Sequence, residues 1–95
     1  LYRDLASLKA AMLMQDAAEP AEVIARLEPL TAPGAPYRLL ALEQIAVAHV
    51  RADESDEAIE TLRRIISDGA ATRDLQGRAR QLIVALGGTL DTSEG

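Results

Sequence analysis

Apolar side chains recur along this chain at helical intervals and nowhere alternate as in a strand. Leu5, Leu8 and Met12 form one stripe, with Ala6, Ala10 and Leu13 beside it, and predict a helix over about residues 2–15. Val23, Ile24, Leu27 and Leu30 form the apolar face of a second helix. Pro20 suits its first turn, where a missing N–H loses no partner, and Pro29 is expected to end it. Leu39, Leu42, Ile45, Ala46 and Val50 predict a third helix over about residues 36–51, opened by Pro36. The fourth takes Ser55 as its N-cap, Asp56 and Glu57 in its first turn, and Ala58, Ile59, Leu62, Ile65 and Ile66 as its stripe, with Gly69 as its stop. Thr72 caps a fifth, in which Leu75, Ala79, Leu82 and Leu86 recur until Gly87 and Gly88 end it. Three pairs, Glu22 with Arg26, Glu60 with Arg64 and Asp74 with Arg78, place an acid four residues before a base, the favourable order on a helix. The expected fold class is therefore all-α.

The breakers crowd into "LTAPGAPYRLLALE", residues 30–43, where Pro33, Gly34 and Pro36 interrupt a chain otherwise rich in helix formers. Comparing the chain with itself explains why. "YRDLA" at Tyr2 recurs 35 residues later as "YRLLA" at Tyr37, and at the same interval Glu22 meets Glu57, Ile24 meets Ile59, Leu27 meets Leu62 and Leu30 meets Ile65. Both helices of a hairpin are repeated in register, and the breakers form the joint. A helical pair with a period near 34 is the signature of a tetratricopeptide-type solenoid, whose units bury their faces only by stacking.

The tetratricopeptide pattern of large and small positions can be laid on both units. In the second, Leu42, Ile45, Ala46 and His49, then Ala58, Leu62 and Ile65, fill the places. In the first, Ser7, Ala10, Ala11, Met14, Val23, Leu27 and Leu30 do so, with Ser7 and Val23 as departures that mark a divergent repeat. The expectation is a tetratricopeptide-like α-solenoid over residues 1–88: units about 2–36 and 37–71, a capping helix about 72–87 whose Arg73, Arg78 and Arg80 keep its outer face wet, and a polar, frayed tail 89–95. Residues 2–88 further resemble the C-terminal part of tetratricopeptide-like proteins similar to the ancillary subunit of the bacterial SecYEG translocon, in the phrases "YRDLASLKAAML", "IARLEPLTAPGAPYR", "ALEQIA" and "ALGG". That resemblance implies a soluble repeat domain on the periplasmic side of the inner membrane, behind an N-terminal membrane helix, in contact with the translocon and exported proteins. The opening "LYRDLASLK", without Met and already in a helical pattern, is expected of a segment of a longer protein that would carry any such anchor.

Composition narrows the chemistry. Apolar residues are 48% of the 95, yet aromatics are 2%, both Tyr, so the core is built from Leu, Ile, Val and Ala, and small side chains allow close helix approach. Ten basic against fifteen acidic residues give a net charge of −5, which disfavours nucleic acid, whose phosphates need a basic footprint. No Cys is present, and no run reaches the roughly 18 uncharged apolar residues of a membrane span. His49, alone and between Ala48 and Val50, is expected to pack or hydrogen-bond rather than bind metal. "DESDE" at 53–57 lacks the ligand spacing and central Gly of a calcium loop, Ser7, Ser55 and Ser67 lack an elbow motif, and Gly87-Gly88 terminates a helix rather than holding phosphate. Met12 and Met14 are expected to pack, Met12 with the option of facing an adaptable surface.

The expected function is a non-enzymatic interaction scaffold without cofactor, metal or small-molecule substrate, attached to a membrane only through an anchor outside this sequence. The alternatives are a structural or self-association domain and an accessory domain of an enzyme. In a tetratricopeptide-like array the first helix of each hairpin lines the concave side, which places Leu5, Leu8, Met12, Leu40, Glu43, Val47 and Arg51 there as the protein-binding residues, open to a partner or a second copy.

Overall fold

The computed structural model describes residues 2–90 and is helical throughout: α1 (Tyr2–Met14), α2 (Pro20–Leu27), α3 (Arg38–Arg51), α4 (Ser55–Ile66) and α5 (Arg73–Ala85), with a 3₁₀ turn, Glu28–Thr31, continuing α2. No strand occurs among the described residues. Residues 91–95 of the expected polar tail lie outside them.

The second and fourth helical segments recur at the interval read from the sequence. Pro20 to Thr31 in the first unit and Ser55 to Ile66 in the second occupy equivalent places 35 residues apart. The later segment is one α-helix, whereas the earlier tightens into 3₁₀ at Glu28. Pro29 is the physical cause, since it offers no N–H to the carbonyl four residues back; its counterpart in α4 is Arg64. So the α-helix ends just before Pro29, as expected from sequence, and a tighter 3₁₀ turn carries the chain on. Leu30 consequently still reaches the core.

Elements adjacent in sequence pack side by side, and α3 is the shared centre. Ala41, Ile45 and Ala48 on one side of α3 join Leu8 and Ala11 of α1, Val23 and Leu27 of α2, and Leu30 in one core cluster. Leu42 and Ala46 on another side join Leu62 and Ile65 of α4 and Leu75, Ala79 and Ile83 of α5 in a second. A helix apolar on two sides has to be covered on both, and α3 is. α2 and α4, by contrast, are strongly one-sided, with polar residues facing water.

The joints depart from the sequence expectation in detail. Ala35 N–H donates to Ala32 O at 2.9 Å across Pro33 and Gly34, with Gly34 at φ +83°, the pattern of a type II turn. Pro36 precedes α3 rather than opening it, because Tyr37 is not helical (φ −114°, ψ 26°) and the helix begins at Arg38. Ser55 is the first residue of α4, not its cap. The N-cap position belongs to Glu54, whose carboxylate is bonded to His49 Nδ1 at 2.7 Å instead of to the helix. α3 ends in a Schellman motif, with Glu54 N–H donating to His49 O and Asp53 N–H to Val50 O, and Asp53 takes the left-handed position at φ 60°. α4 ends at Ile66 with Ser67 as its C-cap, and Gly69, two residues further and without a left-handed φ, is not its stop; Ala70 N–H donates to Asp68 Oδ1 in the loop beyond. Thr72 does cap α5, its hydroxyl accepting from Leu75 N–H at 3.1 Å. Gly87, at φ +90°, and Gly88 close α5 in a second Schellman motif, through bonds to Val84 O and Ile83 O.

The three within-helix acid–base pairs do not form. Among the described residues the ion pairs are Arg38–Asp68, His49–Glu54 and Arg78–Glu43, each between successive elements or across helices. Exposed pairs on one helix gain little against side-chain entropy, and Arg78 finds a two-pronged carboxylate partner on α3 instead.

Candidate protein-binding face

The seven residues expected on the inner face divide into four groups. Leu8 is 3% exposed and belongs to the first core cluster, so it is unavailable to a partner; as a correction, it holds α1 to the hairpin. Leu5 and Val47 are half-buried. Met12 and Leu40, at 49% and 44%, are the exposed apolar members. Leu40 borders an open cavity of about 380 Å³ whose walls include Pro36, Tyr37, Ala70 and Leu75.

Glu43 and Arg51 act as clamps. Glu43 accepts from Arg78 Nε at 2.9 Å and from Nη2 at 3.1 Å, tying α3 to α5. That carboxylate holds the Arg78 guanidinium above its ordinary pKa, first through the hydrogen bonds and then through the charge. Arg51 reaches the other way, donating from Nη2 to Ala18 O at 3.1 Å and from Nη1 to Gln15 Oε1 at 3.4 Å. Gln15, a buried polar residue, donates from Nε2 to Gln44 O at 2.8 Å and to Gln44 Oε1 at 3.1 Å. The end of α1 is thereby fixed to α3 by a polar network. Apolar spacing carries no trace of Gln15, and a glutamine after a helical run reads as a surface residue until the facing helix is known.

Arg38 donates from Nη2 and Nε to Asp68 Oδ2 at 2.7 and 3.2 Å, pinning the start of α3 to the loop after α4. Asp68 is held below the usual carboxylate pKa chiefly by the Ala70 N–H and next by Arg38. The His49–Glu54 pair stands beside an open cleft of about 620 Å³ with Pro20, Ile24 and Arg51 on its walls. Among the described residues no group of three His, Asp or Glu side chains is placed to hold a metal ion, and no helix is long and apolar enough to cross a membrane.

The most exposed large apolar residue is one that the inner-face argument did not select. Leu13 of α1 is 84% exposed, on a different side of the helix from Met12. Comparison with protein-family models, with curated proteins and with solved structures gives no match.

Proposed function

We propose that this chain is a protein-interaction scaffold of the tetratricopeptide type, two helical hairpins with a capping helix, and that it serves a membrane-anchored protein engaged with envelope proteins on the periplasmic side. The observation that carries the interaction reading is the pair Met12 and Leu40, apolar and about half exposed, on the first helix of each unit. Repetition supports the solenoid: the equivalent residues Val23 and Ala58, Leu27 and Leu62, and Leu30 and Ile65 are all buried. The extents, 39 × 28 × 19 Å, suit helices laid in a row rather than gathered round one centre. The translocon context rests on the sequence resemblance alone.

The test uses immobilised wild-type chain and a Met12→Glu/Leu40→Glu double variant against a bacterial envelope extract. The expected result is capture by the wild type, lost in a variant with unchanged helicity and melting temperature. Capture that survives both substitutions moves the binding surface elsewhere. Sedimentation velocity on the same pair decides the self-association alternative, which requires a dimer that the double variant abolishes.

A further inference from the structure

The side of α3 that packs backwards consists of Ala41, Ile45 and Ala48, seated mainly on α2 and its 3₁₀ extension. The same arrangement is made again by α5, whose buried Leu75 and Ala79, 34 residues after Ala41 and Ile45, seat on α4. In α1 the residues 35 places before Ala41, Ile45 and Ala48 are Ala6, Ala10 and Leu13. They are apolar, spaced four and three apart, and lie on the side of the helix opposite Leu8, Ala11 and Gln15, which are buried. Ala6 and Leu13 are exposed and Ala10 is half-exposed. Thus α1, like α3, is apolar on two sides, but only one of its two sides is covered among the described residues.

Within this fold, what covers such a face is known from two examples. It is a one-sided amphipathic helix with large or small apolar residues at i, i+4 and i+7: Val23, Leu27 and Leu30 over α3, and Leu62 and Ile65 beneath α5, with the buried Ala58 completing the same spacing. Both stripes are buried in their own contacts, so a second folded copy has no such stripe to offer. The edges of the α1 face carry Arg3 and Lys9, both exposed and in no ion pair among the described residues, on a chain of net charge −5. We propose that the Ala6–Ala10–Leu13 face of α1 is a docking seam for an amphipathic helix of another polypeptide segment, with an apolar i, i+4, i+7 stripe and acidic flanks, seated as α2 is seated on α3. Ala6 and Ala10 let the two backbones approach closely, Leu13 supplies the anchor, and Arg3 and Lys9 set the charge of the partner. This seam is distinct from the Met12–Leu40 face and does not depend on it.

The probe is a hydrocarbon-stapled peptide of residues 19–31 of this chain, "EPAEVIARLEPLT", which carries the stripe and acidic flanks from Glu19, Glu22 and Glu28. It is titrated into the isotopically labelled full chain and followed by amide chemical shifts. Binding should move Ala6, Ala10 and Leu13, weaken by about tenfold or more in Leu13→Glu, a change worth roughly 1.4 kcal/mol or more, and weaken with added salt or in Arg3→Glu/Lys9→Glu. Met12→Glu/Leu40→Glu should leave it unchanged, which separates failure of this seam from failure of the inner face. Shifts confined to Ala41, Ile45 and Ala48 would mean exchange with the resident α2 and would overturn the proposal. So would the absence of shifts, binding indifferent to Leu13→Glu, or a peptide-free dimer that Leu13→Glu dissociates.

Discussion

Ala46 offers the sharpest test of how α3 is packed. It has no exposed surface, and its cluster draws Leu42 from its own helix, Leu62 and Ile65 from α4, and Leu75, Ala79 and Ile83 from α5. Ala46→Leu adds three carbons between two helices that are both already in contact with α3. Burial of those carbons would gain about 0.8 kcal/mol each if room existed. The close seat of α3 on α4 leaves none, and these two helices have to move apart, so overpacking dominates with a net loss of about 1–3 kcal/mol. Helix propensity differs too little between Ala and Leu to matter. In a domain of this size each kcal/mol lowers the melting temperature by about 4–8 °C, so the expected fall is at least about 4 °C. Ala6→Leu is the matched control: the same substitution at an exposed site on α1, expected to stay within about 0.5 kcal/mol of wild type. Thermal and urea unfolding followed at 222 nm read both. If Ala46→Leu melts with the wild type, or if Ala6→Leu loses as much, the packing of α3 argued above is wrong.

Glycine positions give predictions of opposite sign. Gly77 lies inside α5 with nothing within 4 Å of where a Cβ would stand, so Gly77→Ala should raise stability by about 0.8–1 kcal/mol. Gly88→Ala should lower it by about 1–3 kcal/mol in the same urea titration, because its Cβ would come within 2.8 Å of Ile83 Cγ2 and 3.1 Å of Ile59 Cδ1, and Ile83 is buried and β-branched. Asp53 holds a left-handed backbone on the surface; relief of its Cβ strain outweighs the greater chain entropy of glycine, and Asp53→Gly should stabilise by roughly 0.5 kcal/mol, measured as a rise in urea midpoint. Asp68 titrates lower in the folded chain than its ordinary value, so its stabilisation is complete above the unfolded pKa of about 3.9 and is lost as pH falls through the lowered folded value. Melts from pH 5 to pH 2 should therefore show the wild type losing its advantage over Asp68→Asn only at the acid end; a constant difference across that range would contradict the pairing with Ala70 and Arg38.

Helix existence was legible in the sequence because burial of a periodic stripe dominates the energetics, and every apolar run with helical spacing is a helix here. Thr72 and Gly87 were legible for the same kind of reason: a hydroxyl at an N-cap and a glycine at a left-handed position have few competitors. Ser55, Gly69 and Pro36 were misplaced where several residues compete for one role. Glu54 takes the cap position before α4 because the preceding Schellman turn brings it there, and α4 ends at Ile66 and Ser67, ahead of Gly69, with Asp68 shaping the loop beyond through the Ala70 N–H. The ion pairs were illegible, since the partner of Arg78 is chosen by which helix lies opposite and not by what lies four residues away. Among the candidate binding residues, the helical spacing that selected Leu8 beside Leu5 and Met12 does not say which edge of the stripe turns inward. Only the docking of α2 decides that Leu8 is buried and Met12 is not.

The two ends of the helical row differ in polarity, and this gives the fold a direction. Leu39, Leu42 and Ala46 line the forward side of α3, packed in or against the second cluster. The places on α5 that lie 35 residues on are Asp74, Gly77 and Gln81, and those 34 on are Arg73, Gln76 and Arg80; over these turns the forward side of α5 is polar or bare, with Val84, 55% exposed, as its apolar residue near the end of the helix. Gln76 there donates to Ile66 O, turning back to α4 rather than outward. A helix laid against that side would have to desolvate two arginines or an aspartate with no partner offered by the apolar stripe of the incoming helix, which costs more than the contact returns. The backward side of α1 has no such barrier, since Ala6, Ala10 and Leu13 present only apolar surface between Arg3 and Lys9. Of the two outer faces, the Ala6–Ala10–Leu13 side of α1 is thus the more apolar, and the proposed seam falls there.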